Sequence, residues 1–193
     1  LARGLYVDIA TFHAHFGSAA AAPAPAPEAK KFDPFLLRDS LKKRLNRALR
    51  GLGREPDAVG QIREIAAATH ELAGTDPEGA IAAGLLDEDE SYSIRHSMLT
   101  AILCDLAGTL LGWPADKRAD VVCAALSMNV AILDLQNKLV DQAEAMSPQQ
   151  QTLVHGHPEA AADRLREAGL DDPLWLAAVL EHHERDGGAG YPC

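Results

Sequence analysis

Between Asp116 and Asn137 the chain is apolar nearly all the way round, through Val121, Val122, Leu126, Val130, Ile132, Leu133 and Leu135. A helix with no polar face belongs in the middle of a bundle, covered on every side by other helices. The sequence supplies those neighbours. Leu37, Leu41, Leu45, Leu49 and Leu52 recur every three or four residues. Met98, Leu99, Ile102, Leu103, Leu106, Leu110 and Leu111 mark a core-facing stripe on a helix expected over 91–112. Composition agrees, since 47% of residues are hydrophobic but only 5% aromatic. Ala and Leu must therefore fill the interior, and they favour helices over strands. The expected class is all-α.

Helices are expected over 34–53, 57–73, 77–86, 91–112, 116–137, 148–168 and 173–184. Ahead of them lies a strand-like stretch, Gly4 to Ile9, and then an Ala/Pro tract over 18–31. Pro23, Pro25 and Pro27 at alternate positions forbid a helix and favour an extended spacer. The organisation read from this is a fragment of a β-rich region over 1–17, a linker over 18–31, a helical connector over 32–76 and a helical domain over 77–193. The 34–53 helix carries Arg38, Lys42, Lys43, Arg44, Arg47 and Arg50, with Arg54 just beyond, away from its leucines. That is either a solvated face or a surface for forming a homodimer. The acidic run Asp87 to Glu90 suits the positive N-terminal end of the helix that follows it.

The net charge of −10 excludes a general DNA binder, which needs a basic surface. An anionic nucleotide would require a local cluster of positive groups or a metal. No apolar run reaches the roughly 18 residues of a membrane span, and no secretory signal is read in the chain. Cys104, Cys123 and Cys193 show no CxxC spacing. The first two lie in apolar helical runs, where a thiol is a small core residue, so a reducing cytoplasm is expected.

Chemistry enters with histidine. His182 and His183 are adjacent, late on an expected helix, and neighbouring helical residues point about 100° apart. The pair therefore reaches two partners within one cavity. It is followed by Glu184-Arg185-Asp186-Gly187-Gly188-Ala189-Gly190-Tyr191-Pro192. Together with His96-Ser97 upstream, and with His157-Pro158-Glu159 ahead of Ala162 and Leu165, this ordered set resembles the HD-GYP family over about residues 77–193. The resemblance implies an HD-superfamily helical bundle and metal-dependent hydrolysis of cyclic di-GMP at a two- or three-metal centre. It makes His96, His157, His182 and His183 candidate metal ligands. It also makes Arg185, Gly188, Gly190, Tyr191 and Pro192 a ligand or partner loop that recognises diguanylate cyclase (GGDEF-type) domains. Family members run on into further helices, so the resemblance implies that part of such a domain is missing after Cys193.

One stretch departs from the family. Where the family reads Ala-Ala-Leu-Leu-His-Asp-Ile-Gly-Lys, this chain has Ala124-Ala125-Leu126-Ser127-Met128-Asn129-Val130-Ala131-Ile132. Met128 replaces a ligand with a soft thioether, Asn129 replaces a metal-bridging carboxylate with a neutral amide, and Ile132 replaces a phosphate-facing cation. Asp186 also stands one place early in the glycine-rich signature. Two readings follow. One is a catalytically inactive module that senses cyclic di-GMP or binds a protein partner. The other is a phosphodiesterase with a rebuilt His-only site holding a single divalent metal (Zn, Fe or Mn). The imidazoles equally suit a polar cavity holding no cofactor. Other residues read more plainly: His155 points away from His157 on the surface, His70 is a surface or interface residue, and Trp113 and Trp175 pack at helix edges.

Overall fold

The computed structural model describes residues 33–86 and 91–191, and every regular element among them is helical. The readings made for residues 1–31, for the acidic run 87–90 and for Pro192 lie outside the described residues. The helices are α1 (Pro34–Gly51), α2 (Ala58–Thr75), α3 (Pro77–Leu85), α4 (Tyr92–Leu110), α5 (Ala115–Ser127), α6 (Leu133–Val140), α7 (Pro148–Glu167) and α8 (Pro173–Glu181). Four of them start with the same local device, a capping side chain followed by proline. Asp33, Asp76 and Asp172 accept from amides of the first turns of α1, α3 and α8. Ser147 and Gln150 form a reciprocal capping box on α7. The cap satisfies donors that a helix start leaves unpaired, and proline loses nothing at a position whose N–H has no partner.

Helix α5 lies at the centre, packed against α2, α4 and α8, while α7 packs on α8 and α1 on α2. Leu41, Leu45, Ile62 and Ile65, from the stretch expected as a connector, join Met98, Ile102, Leu126, Leu165 and Trp175 in one core. Trp175 is fully buried rather than placed at an edge. Its indole N–H donates to Ser127 Oγ at 2.8 Å, and the Ser127 hydroxyl donates to the Cys123 carbonyl at 2.8 Å.

The long helix expected over 116–137 is two helices with a turn at 128–132. The apolar pattern correctly reported burial, since Val122, Leu126, Val130, Ile132 and Leu133 are all buried. It could not report the break, which depends on partners elsewhere. Arg164 of α7 donates to the Val130 carbonyl at 3.0 Å, satisfying a backbone group that would otherwise favour continued helix.

Two further expectations are corrected. On α4, Met98 and Ile102 are buried, but Leu103, Leu110 and Leu111 are 47%, 89% and 67% exposed. The buried face runs through Ile94, Ser97, Ala101, Asp105 and Gly108 instead, because small residues let α5 and its approach loop come close. A Cβ on Gly108 would sit 3.1 Å from the Trp113 ring and 3.2 Å from the Arg118 side chain. On α1, Arg38 and Lys42 are buried, not solvated. Arg38 donates to the Ala83 carbonyl of α3 and pairs with Asp39, which offsets part of the cost of burying a guanidinium.

Candidate functional site

The local rules of helix ends place the first two histidines of the site. Pro158 lies inside α7 and has no N–H, so the carbonyl four residues earlier, Val154, loses its helical partner. His157 Nδ1 takes it at 2.5 Å. Helix α8 stops at Glu181, and the last carbonyls of a helix have no intrahelical donor. His182 Nδ1 takes one of them, Val179, at 2.7 Å. The pair His182-His183 thus occupies the turn after the helix, not the helix itself, and the two rings lie 4.2 Å apart between centroids.

A carbonyl only accepts, so both Nδ1 atoms carry hydrogen and both Nε2 atoms are left as bare lone pairs. Those two Nε2 atoms face each other at 3.0 Å. Burial is the main cause that pushes the His182 pKa down to about 4, and neighbouring rings add to it. Burial also lowers His157 and His183 below the ordinary histidine value. With both Nδ1 hydrogens directed to carbonyls, the two Nε2 lone pairs point toward each other, an arrangement that a shared cation would satisfy. A ligand nitrogen of His183 completes the group, with the three donors all within 4.8 Å of one another. An imidazole whose second N–H is donated to a carbonyl is the usual arrangement behind a metal-ligating histidine. The donor set fits one borderline ion such as zinc. Among the described residues no carboxylate joins it, and three imidazoles alone do not fit a bridged metal pair.

The glycine-rich loop closes over this group. Gly187 and Gly188 turn the chain with φ of 90° and 70°, a left-handed conformation that other residues resist. Gly190 then runs against the backbone of 183–185, where an added Cβ would lie 2.3 Å from the His183 carbonyl oxygen. That approach lays Tyr191 parallel to His183 at 4.5 Å, and His155 stacks on Tyr191 at 4.8 Å. His155 is on the surface as expected, but it does not point away. No sequence pattern links positions 155 and 191, so the stack is legible only in three dimensions. The loop, His155 and the His pair line a cavity of about 470 Å³ that Arg185 also borders.

His96 stands outside the three-histidine group and stacks on Tyr92 at 5.7 Å. A charge on it is still felt at His182 and His183, whose pKa values it helps to lower. Met128, Asn129 and Ile132 are buried at 7%, 3% and 9% exposure in the turn after α5. The same turn walls a cleft of about 610 Å³ into which the surfaces of Arg50, Arg54 and Arg164 converge. Sequence reading missed this cleft, because its arginines come from α1, its trailing loop and α7. Cys123 is buried and its thiol pKa is pushed up to about 12, chiefly by burial, so it is a core residue as expected.

Over 102 residues the chain is 26% identical to the cyclic di-GMP phosphodiesterase PdeB of Borreliella burgdorferi, covering 53% of this chain and 27% of that protein. The match marks a distant relationship and spans about a quarter of the relative's length. No family model matches the chain, and no solved structure matches it. Among the described residues, no helix is long and apolar enough to cross a membrane.

Proposed function

We propose that this chain is a degenerate HD-GYP-type module of cyclic di-GMP signalling that binds without hydrolysing. The observation that carries the reading is the make-up of the site: three imidazoles converge, and among the described residues no carboxylate joins them. Hydrolysis by a metal pair needs a shared anionic ligand to hold the ions together and place a hydroxide between them. Asn129, a neutral amide, stands at the position where the resemblance puts that anion. The distant relationship to a cyclic di-GMP phosphodiesterase supports the nucleotide as the ligand. Arg50, Arg54 and Arg164 also border one cleft, together with Glu167 and with Asp134, which pairs with Arg50 at 2.7 Å. The Tyr191 loop offers the surface for a cyclase-type partner.

One specific observation keeps the second reading, a single-metal phosphodiesterase. The unprotonated Nε2 atoms of His157 and His182 face each other at 3.0 Å, and that geometry suits a cation. His157, His182 and His183 would hold it, and it would supply Lewis-acid polarisation of a phosphoryl oxygen. The test for both is to titrate cyclic di-GMP into purified protein with no metal, then with zinc, manganese or iron, following heat and linear product together. Saturable binding with no product is expected. Rapid product formation under any of these metals sinks the inactive reading, and absence of binding in all conditions sinks the sensing role.

A further inference from the structure

A second pocket, of about 240 Å³, lies among α2, α4 and α5, away from the three-histidine group. Its walls are apolar and small: Ala66, Val122 and Cys123 are buried, while Ala67, Ala115 and Ala119 form more open parts of the lining. One wall carries a charge. Asp105 is 2% exposed, and its Oδ1 accepts from His70 Nδ1 at 3.0 Å and forms an ion pair with Arg118 Nε at 3.2 Å. Among the described residues its Oδ2 meets the same His70 nitrogen, again at 3.0 Å. A carboxylate offers about four lone-pair sites, so Asp105 keeps unused acceptor capacity where it lines the pocket.

The charges around that carboxylate narrow what can enter. Arg63, the other guanidinium on the lining, is already bonded to Asp120 and Asp172, each at 3.2 Å, and lies over the Trp175 ring. An anion would meet Asp105 and find the neighbouring cations engaged. A cation would meet Arg63 and Arg118. A neutral donor meets an acceptor with capacity to spare. The size is suitable as well, since an apolar cavity of about 150 Å³ is enough to take benzene.

We infer that this pocket binds a small neutral molecule of one or two rings that carries one O–H or N–H donor, the donor resting on Asp105. The inference is independent of the cyclic di-GMP reading, because it uses none of the residues of the histidine site. The probes are phenol and indole, with toluene, benzoate and benzylamine as controls, titrated against the full chain by calorimetry and ligand-observed NMR. Phenol and indole should bind. Toluene should bind about fivefold more weakly, the value of one net hydrogen bond, and the two charged controls should not bind. Ala67→Leu and Ala119→Leu fill exposed parts of the lining, which folded protein tolerates; each should abolish phenol binding with the circular dichroism unchanged. Asp105→Asn should reduce the preference for phenol over toluene. The proposal is overturned if phenol and indole fail to bind up to their solubility, if toluene binds as well as phenol, or if both leucine variants bind phenol like the parent.

Discussion

His70 and His182 present the same ring to opposite surroundings. His70 is half exposed, and its Nδ1 lies 3.0 Å from both oxygens of the buried Asp105 carboxylate, with Arg118 on the same acid. His182 has its Nδ1 on a backbone carbonyl and its Nε2 against the bare nitrogen of His157. In the first arrangement the ring nitrogen faces a carboxylate that also pairs with Arg118. In the second, burial keeps the rings neutral and leaves two lone pairs aimed at one point. The two histidines thus differ in what their ring nitrogens face, a carboxylate in one case and a bare nitrogen in the other.

The largest effect that can break this contrast is on metal affinity. His182→Ala should weaken zinc binding by more than the roughly 10- to 100-fold typical of losing an outer-shell partner. His70→Ala should leave it unchanged. A chelator-competition titration reads both, and equal losses in the two variants would erase the distinction. On the other side of the comparison, Asp105→Asn removes the charge that His70 and Arg118 share. It should lower stability by about 1–3 kcal/mol in urea unfolding, the cost of leaving buried polar groups poorly paired.

Acid titration tests the same contrast more gently. The His182 pKa falls from 6.5 to about 4 on folding, so between those values the unfolded chain binds more protons than the folded one. Stability is therefore full above 6.5 and declines as pH drops toward 4. Thermal melts across that range should show the decline, and His182→Phe should flatten it; an unaltered slope would mean the ring is not buried as a neutral base. The smallest expected effect is that of Gly190→Ala. The new Cβ cannot fit beside the His183 carbonyl, so the loop shifts and Tyr191 leaves its stack. The ring-current shifts of Tyr191 and His183 protons should collapse toward ordinary values, with little change in melting temperature.

How much of this was legible beforehand varies with the residue. That His157 and His182 would lie together was readable from the His-Pro and His-His elements, and the helix starts at Asp33, Asp76, Ser147 and Asp172 follow short-range chemistry. The break after Ser127 was not readable. It depends on Trp175 and Arg164, which lie far along the chain and bond to Ser127 and Val130. Leu103, Leu110 and Leu111 misled for a related reason: hydrophobicity says that a residue favours burial, while close helix contact selected the face with Ser97, Ala101 and Gly108.

By itself the sequence determined the helical class, the burial of the stretch around Leu126 and the presence of a histidine set. Each of those is a property of single residues or of neighbours within a few turns. The tertiary structure decided that three histidines rather than four share one group, that His155 and Tyr191 cap it, and that Asp105 serves His70 and Arg118 beside an apolar pocket. Those outcomes depend on distances between groups far apart along the chain. Helix packing and turn geometry set such distances, and no local pattern encodes them.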